Sequence, residues 1–465
     1  MVTTVFDPAQ SPQKRRARRY PTSARRSPPP HPAVGAAAAT AAVAGLVAVV
    51  VLAVATETTR ELRLPGGVAT FVGSLTGLVG MYLALVMVVL AARVPAFERI
   101  LGQDGMLRWH RRLAPWPIGL IVLHALVVTL GYAQAARTGV LHEIGTLVDS
   151  YPDMLGATAG LLLLVMIAVA SFGPVRRRLR RETWWVMHLY IYLALALSFA
   201  HVIALGPAFV GHPLTRVVWS VLWALTAGAV LVNRFLVPVV RSARYRLRVV
   251  EVLPEGPGVV SVVLSGRNLD RLAVSGGQFF AWRFLTRGLW WQAHPYSISA
   301  LPRPPYVRLT VKQIGDHTAA VARLQPGTRV AFEGPYGAVT SHALRSPTVA
   351  LVAGGIGITA LRSLLEDLPK STDPVVVMRA ASEEELVLHE EVAELVRHRK
   401  GTLHTVVGSR SRSRMTPAAL GRLVPDIARR DVFVCGPPGL VEDAVAAARR
   451  LGVPPSCIHY EIYSW

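Results

Sequence analysis

Four histidines lie in or beside long apolar stretches and form two pairs, His110 with His124 and His188 with His201. An ionisable side chain inside such a stretch is costly and therefore indicates a functional site. Neutral imidazole is a common axial ligand of haem iron, so haem binding is the first chemistry to consider. The alternative, four snorkelling or hydrogen-bonded histidines, is disfavoured because the histidines occur as two matched pairs.

The spacing within each pair predicts two sites at different depths. His110 and His124 are 14 residues apart, which in a helix is roughly 21 Å and nearly four turns, so both point the same way. His188 and His201 are 13 apart, which turns their rings roughly 140° from each other on an ideal helix. The second helix therefore needs a tilt, a bulge or a rotation to present both. Two parallel helices would then hold two stacked haems between His110 and His188 and between His124 and His201.

Six apolar segments are long enough to cross a bilayer as helices. We predict spans at 33–55, 68–92, 112–133, 154–173, 184–205 and 214–237. The connections after the second and fourth spans are rich in arginine, whereas those after the first, third and fifth carry few. The positive-inside rule then predicts that both termini are cytoplasmic. The pair of His110 and His188 would lie toward the cytoplasm, and the other pair toward the opposite face.

Composition supports a membrane protein. The chain has 465 residues, is 52% hydrophobic and carries a net charge of +22, almost wholly from arginine. Such a charge also fits nucleic-acid binding, but the arginines cluster at span ends, so we predict the lipid bilayer of the plasma membrane as partner and no nucleic acid. The two cysteines, Cys435 and Cys457, form neither a disulfide framework nor a CxxC site, and without a CxxCH motif haem b is favoured over haem c.

The sequence changes character after Pro238. Residues 244–345 contain short alternating strands broken by glycine and proline, which predict a small antiparallel barrel. Residues 347–465 alternate buried strands with helices, which predicts a doubly wound parallel sheet. The predicted domains are a disordered, basic and proline-rich tail (1–32), a six-helix membrane domain (33–240), a β-barrel (241–345) and an α/β domain (346–465).

Three short motifs carry possible chemistry in these two domains. The segment 354–359 (GGIGIT) joins a strand to a helix, where glycines allow a phosphate to approach backbone N–H groups, although a plain turn is the alternative. The segment 435–438 (CGPP) ends a later strand, at the edge where open α/β sheets bind ligands; a buried structural cysteine is the alternative. The segment 294–297 (HPYS) ends a barrel strand and brings together an aromatic ring and a hydroxyl, unless it is only a turn.

The motifs HPYS, VKQIGDHT, GPYG, GGIGIT and CGPP and an aromatic C-terminal residue follow the order of the ferredoxin–NADP reductase flavin module. These motifs are preceded by six apolar spans and the paired histidines. In this combination, residues 68–465 resemble the ferric reductase / NADPH oxidase family. The resemblance implies a membrane α-helical bundle of six spans, a cytoplasmic antiparallel β-barrel FAD domain and a doubly wound α/β nicotinamide-binding domain. It implies FAD, two haem b and NADPH as cofactors, with NADH as the alternative to NADPH.

The resemblance also implies roles for the flavin-site residues. Tyr296 would stack on the isoalloxazine, Ser297 would hydrogen-bond near flavin N5, and Trp465 would cover the flavin face until the nicotinamide displaces it. Lys312 stands where many relatives have arginine, and His317 where the oxidases often have tryptophan. The implied FAD-binding residues are His294, Pro295, Tyr296, Ser297, Lys312, Gly315, Thr318 and Trp465.

For the nicotinamide cofactor, the family pattern assigns the pyrophosphate, the nicotinamide and the 2′-phosphate to three groups of residues. Arginine suits the 2′-phosphate because of its bidentate fork, although SRSRSR also reads as a solvated basic run. These groups are Gly354, Gly355, Gly357 and Thr359; Cys435, Gly436 and Pro437; and Arg379, Ser409 and Arg410.

The expected function is a transmembrane oxidoreductase that passes electrons from cytoplasmic NAD(P)H through FAD and two haems to an extracytoplasmic acceptor. Its expected catalytic residues are Ser297, Cys435 and Trp465. Ferric iron is the first acceptor to consider, and dioxygen giving superoxide is the alternative; the outer polar residues Arg137, His142 and His212 do not decide between them. A haem-bearing subunit that serves a partner protein is a further alternative, against which the complete flavin module argues.

Overall fold

The computed structural model describes residues 32–56, 59–409 and 413–463, and the chain divides into two compact units. The helical unit consists of Pro32–Phe97 and Gly105–Asn233. The sheet unit contains Glu98–Asp104 and the chain from Arg234 onward. The predicted disordered tail, apart from its last residue, lies outside the described residues.

Six segments are long and apolar enough to cross a membrane, as predicted: Ala33–Ala55, Gly67–Ala91, Gly105–Ala136, Met154–Ser171, Glu182–Leu205 and Pro213–Tyr245. They differ from the predicted spans mainly at the third and sixth, where helix continues beyond the apolar run. The helices up to residue 231 are α1 (Pro32–Ala55), α2 (Thr59–Leu62), α3 (Gly67–Ala91), α4 (Pro95–Leu113), α5 (Pro115–Ala136), α6 (Val140–Ser150), α7 (Met154–Ser171), α8 (Gly173–Arg176), α9 (Arg181–Leu205) and α10 (Pro213–Leu231).

Glycines set how closely the helices of the helical unit pack. A Cβ atom at Gly73 of α3 would lie 2.3 Å from Cγ2 of Val128 on α5, and one at Gly131 would lie 2.4 Å from Oγ1 of Thr70. Between α7 and α9, a Cβ at Gly160 would lie 2.8 Å from the Ala194 carbonyl oxygen. Small residues are used in membranes because van der Waals packing, rather than the hydrophobic effect, holds apolar helices together. The glycines therefore allow α3 to pack closely against α5, which carries His124, and α7 against α9, which carries His188 and His201.

The first part of the sheet unit contains six antiparallel strands. They form two three-stranded sheets, in the orders β1-β2-β5 and β4-β3-β6. Only isolated bridges join the sheets, between Ile298 and Leu309 and between Arg248 and Arg329, so the predicted barrel is not closed. The elements are a π-helical turn (Val232–Leu236), α11 (Val237–Tyr245), β1 (Arg248–Gly256), β2 (Val259–Ser265), β3 (Phe279–Phe284), β4 (His294–Ser297), β5 (Tyr306–Lys312), α12 (Asp316–Val321) and β6 (Val330–Tyr336).

The second part is a five-stranded parallel sheet in the order β11-β10-β7-β8-β9. Separate hydrophobic clusters fill its two faces, one with α13 and α14 and the other with α15 and α16. The prediction of a doubly wound sheet is therefore confirmed, and its strand order reverses between β7 and β10. The elements are β7 (Thr348–Gly354), α13 (Ile358–Asp367), β8 (Asp373–Ala380), α14 (His389–His398), β9 (Thr402–Val407), α15 (Pro417–Leu423), β10 (Asp431–Gly436), α16 (Pro438–Arg450) and β11 (Ile458–Ile462).

A buried network of ion pairs joins the antiparallel strands to α13 and α14. Arg308 of β5 donates to both carboxylate oxygens of Glu391 at 2.7 Å, and Arg303 donates to Glu366 at 2.5 Å. Arg362 pairs with both glutamates. We call these five residues the charge ladder. Because each charge has a partner of opposite sign, the ladder can be buried without leaving an isolated ion.

Candidate functional site

The structure brings the four histidines together in the two predicted pairs. The ring centroids of His110 and His188 are 6.1 Å apart, and those of His124 and His201 are 6.3 Å apart. Helix α9 is α-helical throughout, so no bulge is needed between its two histidines. A metal–nitrogen bond of about 2.0 Å and about 1.2 Å from nitrogen to ring centre, on both sides, give roughly 6.4 Å. Both pairs therefore have the separation required of opposed ligands on one iron.

The surroundings of His124 also fit a metal ligand. Its Nδ1 lies 2.8 Å from the carbonyl oxygen of Gly73, so Nδ1 carries the proton and Nε2 is free to bind a metal. Gly77, one turn further along α3, leaves room for the ring, because a Cβ there would lie 2.6 Å from Nδ1. Helix α3 therefore both orients the imidazole and makes space for it.

The HPYS segment forms β4 and pairs with β3 in the predicted antiparallel domain. Tyr296 is buried, and its hydroxyl lies 3.0 Å from Nδ1 of His317. The rings of His294 and His317 are stacked, with centroids 3.5 Å apart. Pro295 is exposed between His294 and Tyr296. Three aromatic rings thus lie together where the flavin ring system is expected, and His317 takes part although the family pattern gave it no role.

The expected FAD pyrophosphate residues lie at the end of β5 and the start of α12. Lys312 pairs with Glu385 at 3.6 Å. The hydroxyl of Thr318 accepts hydrogen bonds from the backbone N–H groups of Ile314 (2.8 Å) and Gly315 (3.0 Å), and so holds the turn between them. The Thr318 side chain therefore stabilises the turn that precedes α12, and Lys312 provides a positive charge at the end of β5.

Tyr463 is a site residue that the sequence analysis missed. Its hydroxyl lies 2.8 Å from Oγ of Ser297, and its backbone N–H donates to the Gly436 carbonyl at 2.9 Å. Burial, reinforced by the charge of Glu461, raises the pKa of Tyr463 well above its usual value, so the ring stays a neutral phenol. Trp465, which was expected to cover the flavin, lies outside the described residues. The signal that was passed over is an aromatic residue directly after the last strand.

GGIGIT and CGPP meet at the carboxyl ends of β7 and β10, where the strand order reverses. A Cβ at Gly357 would lie 2.2 Å from the Cys435 carbonyl oxygen, and one at Gly436 would lie 3.2 Å from the Gly354 backbone. Only glycine permits such an approach of two backbones, and Gly355 has a φ of 50°, in the left-handed region. Open α/β sheets bind ligands at this point. The expected nicotinamide residues therefore share one crevice edge.

The remaining members of these groups lie close by. Thr359 is buried at the start of α13, where its hydroxyl donates to the Ile356 carbonyl at 2.9 Å. Pro437 directly precedes α16 and contacts the position of Gly354. Both residues therefore lie at the same junction of strands and helices.

Arg379 and Ser409 are brought together at the ends of the two neighbouring strands β8 and β9. Arg379 donates a hydrogen bond to the carbonyl of Gly408 at 2.9 Å, next to Ser409. Arg410, the third residue expected to grip a 2′-phosphate, lies outside the described residues. A cation and a hydroxyl therefore stand at the same sheet edge as the glycine turn.

The three polar residues that were considered for an outer acceptor site belong to separate elements. Arg137 directly follows α5, His142 is exposed on α6, and His212 is exposed just before α10. Over residues 32–56, 59–409 and 413–463, no group of three or more His, Cys, Asp or Glu side chains could hold a metal ion.

Three family models match consecutive parts of the chain. Residues 76–199 match the ferric reductase like transmembrane component, 244–340 an FAD-binding domain and 351–446 an oxidoreductase NAD-binding domain. Together they cover three of the four paired histidines, the two antiparallel sheets and most of the parallel sheet, whereas His201 and β11 lie beyond the matched ranges.

Individual proteins share parts of this arrangement. An NADPH oxidoreductase of Mycobacterium tuberculosis is 28% identical over 36% of this chain, which spans about half (47%) of that relative. Human dual oxidase 1 is 24% identical over 58% of this chain and 18% of its own length. The FAD/NAD-binding domain of a Vibrio cholerae nitric oxide dioxygenase is 21% identical, with a TM-score of 0.40, over 47% of this chain and 99% of that domain. Since the three family models occur in this order on one chain, the protein belongs to the ferric reductase / NADPH oxidase family, as a membrane oxidoreductase with FAD- and NAD(P)-binding domains.

Proposed function

We propose that this protein passes electrons from NAD(P)H on the cytoplasmic side, through FAD and two b-type haems, to an acceptor on the opposite side, in the first instance ferric iron. The observation that carries this proposal is the pair of ring separations, 6.1 Å and 6.3 Å, in one chain with a nicotinamide-type sheet edge. When bound, FAD would take two electrons as a hydride and give them up singly to haems that carry one each.

The residues of the chain would orient these groups and keep water out. Tyr296 would support the flavin ring, and Ser297 would hydrogen-bond at its reactive edge. Tyr463, held against Ser297 at 2.8 Å, would cover the face that the nicotinamide needs. Cys435, which is fully buried at the end of β10, would face the nicotinamide across the crevice. Burial of this constellation supports direct hydride transfer because water is kept from the reacting atoms.

We further propose NADPH as the donor, with NADH as the alternative. Arg379 and Ser409 offer a guanidinium and a hydroxyl at the edge where a 2′-phosphate would lie. A guanidinium can bind phosphate through two parallel hydrogen bonds. The distribution of arginines supports a cytoplasmic nicotinamide site, because the arginine-rich connections and the sheet unit follow even-numbered spans.

Dioxygen is the second candidate acceptor. The similarity to human dual oxidase 1 extends over 58% of this chain and supports an oxidase. The match of residues 76–199 to the ferric reductase model supports iron instead. Delivery of single electrons at the outer haem suits both acceptors.

The test is the optical spectrum of the purified protein in detergent, before and after NADPH is added without oxygen. We expect low-spin bis-histidine haem bands that become reduced by NADPH. His124→Ala should lose one of the two haems, and His142→Ala, which changes an exposed histidine on α6, should keep both. Air and a ferric chelate, admitted separately, then show which acceptor reoxidises the haems faster.

Two results would count against the proposal. A flavin spectrum without haem would leave a membrane-anchored flavin reductase and no electron path across the bilayer. Haems that NADPH does not reduce would point to a subunit that receives electrons from another protein.

A further inference from the structure

An aromatic ring and a cation are stacked on one member of the first histidine pair. The ring of Trp184 lies 5.1 Å from that of His188, at an angle of 26°. The guanidinium carbon of Arg176 lies over the same indole, 4.5 Å from the Trp184 ring centroid. Trp184 is also held by a hydrogen bond from its Nε1 to Oγ of Ser171, at 3.2 Å. These contacts form a column, Arg176–Trp184–His188, within the helical unit.

The column takes the place of the hydrogen bond that usually orients a metal-bound histidine. Metal-bound histidines usually donate the N–H of their second ring nitrogen to a carbonyl or carboxylate, which fixes the plane of the ring. His124 does so toward Gly73. Nδ1 of His188 is buried and, among the described residues, has no hydrogen-bond partner; the same is true of Nδ1 in His110 and His201, but of these three rings it is His188 that has a tryptophan stacked on it. The orientation of the His188 ring is therefore set by the face of Trp184 instead.

We propose that Trp184 and Arg176 are positioning residues for the haem held by His110 and His188: Trp184 fixes the plane of the His188 ring, and Arg176 raises the reduction potential of that haem. This inference rests on the function proposed above and deepens it. It assigns to two residues that contact no substrate the role of setting a ligand orientation and a haem reduction potential.

The direction of the effect follows from charge. Arginine stays protonated at all working pH values, so its charge is permanent. A positive charge near a redox centre favours the form with one electron more, and it acts strongly where the surroundings are apolar. The guanidinium is held over the indole face by a cation–π contact, which fixes its distance from the ligand.

The second pair lacks this arrangement. In the part of the chain that the structure describes, the ring contacts of His124 and His201 are with each other, and neither carries a stacked tryptophan or an arginine column. The column would therefore act on one haem alone. If this haem is the first to receive electrons, as its predicted cytoplasmic position implies, a raised reduction potential would make that transfer more favourable and the reverse transfer less favourable.

The test is a spectroelectrochemical titration of the full chain with both haems, combined with low-temperature paramagnetic resonance of the oxidised haems. Arg176→Gln should lower one midpoint potential and leave the other unchanged. Its matched control is Arg177→Gln, because Arg177 is the next residue and is exposed. Trp184→Ala should change the resonance of one haem through the ligand-plane angle, while Trp184→Phe, which keeps a stacked ring, should largely preserve it. Trp185→Phe, at a neighbouring side chain that is 42% exposed, should change neither readout.

The outcomes separate this inference from the proposed function. A wild-type protein without bis-histidine haem would overturn both. Two haems whose potentials and resonances respond equally to Arg176→Gln and Arg177→Gln, or to neither, would overturn the column alone. If Trp184→Ala fails to retain haem, Arg176→Gln and Trp184→Phe still decide the question.

Discussion

Tyr463 connects the motif expected to bind the flavin with the motif expected to bind the nicotinamide. It contacts Ser297 through its hydroxyl and Gly436 through its backbone, and so reaches both expected binding motifs. The family resemblance implied the covering role for Trp465, the aromatic residue at the C-terminus. The strand β11 ends at Ile462, so Tyr463 is the aromatic residue that the sheet itself positions.

We predict that Tyr463→Ser increases the affinity for NADP⁺ at least several-fold, because the ring no longer competes for the flavin face. Tyr463→Phe, which keeps the ring but loses the hydroxyl contact with Ser297, should change it much less. The measurement is a difference-spectrum titration of the oxidised protein with NADP⁺. Trp465→Ser is the comparison, and a larger effect there than at Tyr463 would return the covering role to Trp465.

A second prediction at the same scale concerns Gly77. Its Cβ, if present, would lie 2.6–3.0 Å from three atoms of the His124 ring, which is too close for the ring to keep its position. Gly77→Ala should therefore weaken or abolish one haem site and leave the other. Gly119→Ala on α5 is the control, because a Cβ there has nothing within 4 Å. The haem-to-protein ratio checks this, and full haem content in Gly77→Ala would contradict it.

At the scale of elements, the charge ladder decides how the antiparallel sheets and the parallel sheet are held together. Burial alone would raise the pKa of Glu366, but the guanidinium groups of Arg362 and Arg303 outweigh it and hold that pKa below its ordinary value. A carboxylate whose pKa is lowered by folding stabilises the protein above its unfolded pKa. That contribution is lost as the pH falls through the folded pKa.

Glu366→Gln should therefore destabilise the sheet unit by about 3 kcal/mol, since it leaves two buried arginines short of a charge partner. The apparent unfolding midpoint should fall at neutral pH, and the gap between wild type and variant should close below the ordinary pKa of 4.5. Asp443→Asn is the control, because its partner Arg414 is an exposed residue. Equal midpoints at neutral pH would show that the ladder is not holding the sheets. Scanning fluorimetry over a pH series measures both effects.

Local patterns predicted the elements well and the contacts between them poorly. The six spans and the strands of the antiparallel and parallel sheets follow from apolar runs and alternation, which depend on neighbouring residues alone. The spacing of 14 and 13 also predicted the histidine pairs, because helical geometry is regular. The ladder pairs Arg308 with Glu391, 83 residues away, and nothing local signals such a contact. For the same reason the barrel was expected to close, and Tyr463 was overlooked.

At the scale of the whole molecule, the proposed electron path requires that the nicotinamide site and the arginine-rich connections lie on the same side of the membrane. Six spans return the chain to the side from which it started, so the sheet unit should be cytoplasmic. The two natural cysteines offer a direct check, because Cys435 is buried and Cys457 is only half-buried.

We predict that a membrane-impermeant maleimide labels Cys457 in inside-out vesicles and not in right-side-out vesicles. Cys457→Ser should abolish this labelling, and His142→Cys should add a site with the opposite preference, since residue 142 follows an odd-numbered span. Labelling of Cys457 from outside would reverse the topology. The nicotinamide edge would then face away from the cytoplasmic NAD(P)H that the proposal requires, and the arginine-rich connections would face outward against the positive-inside rule.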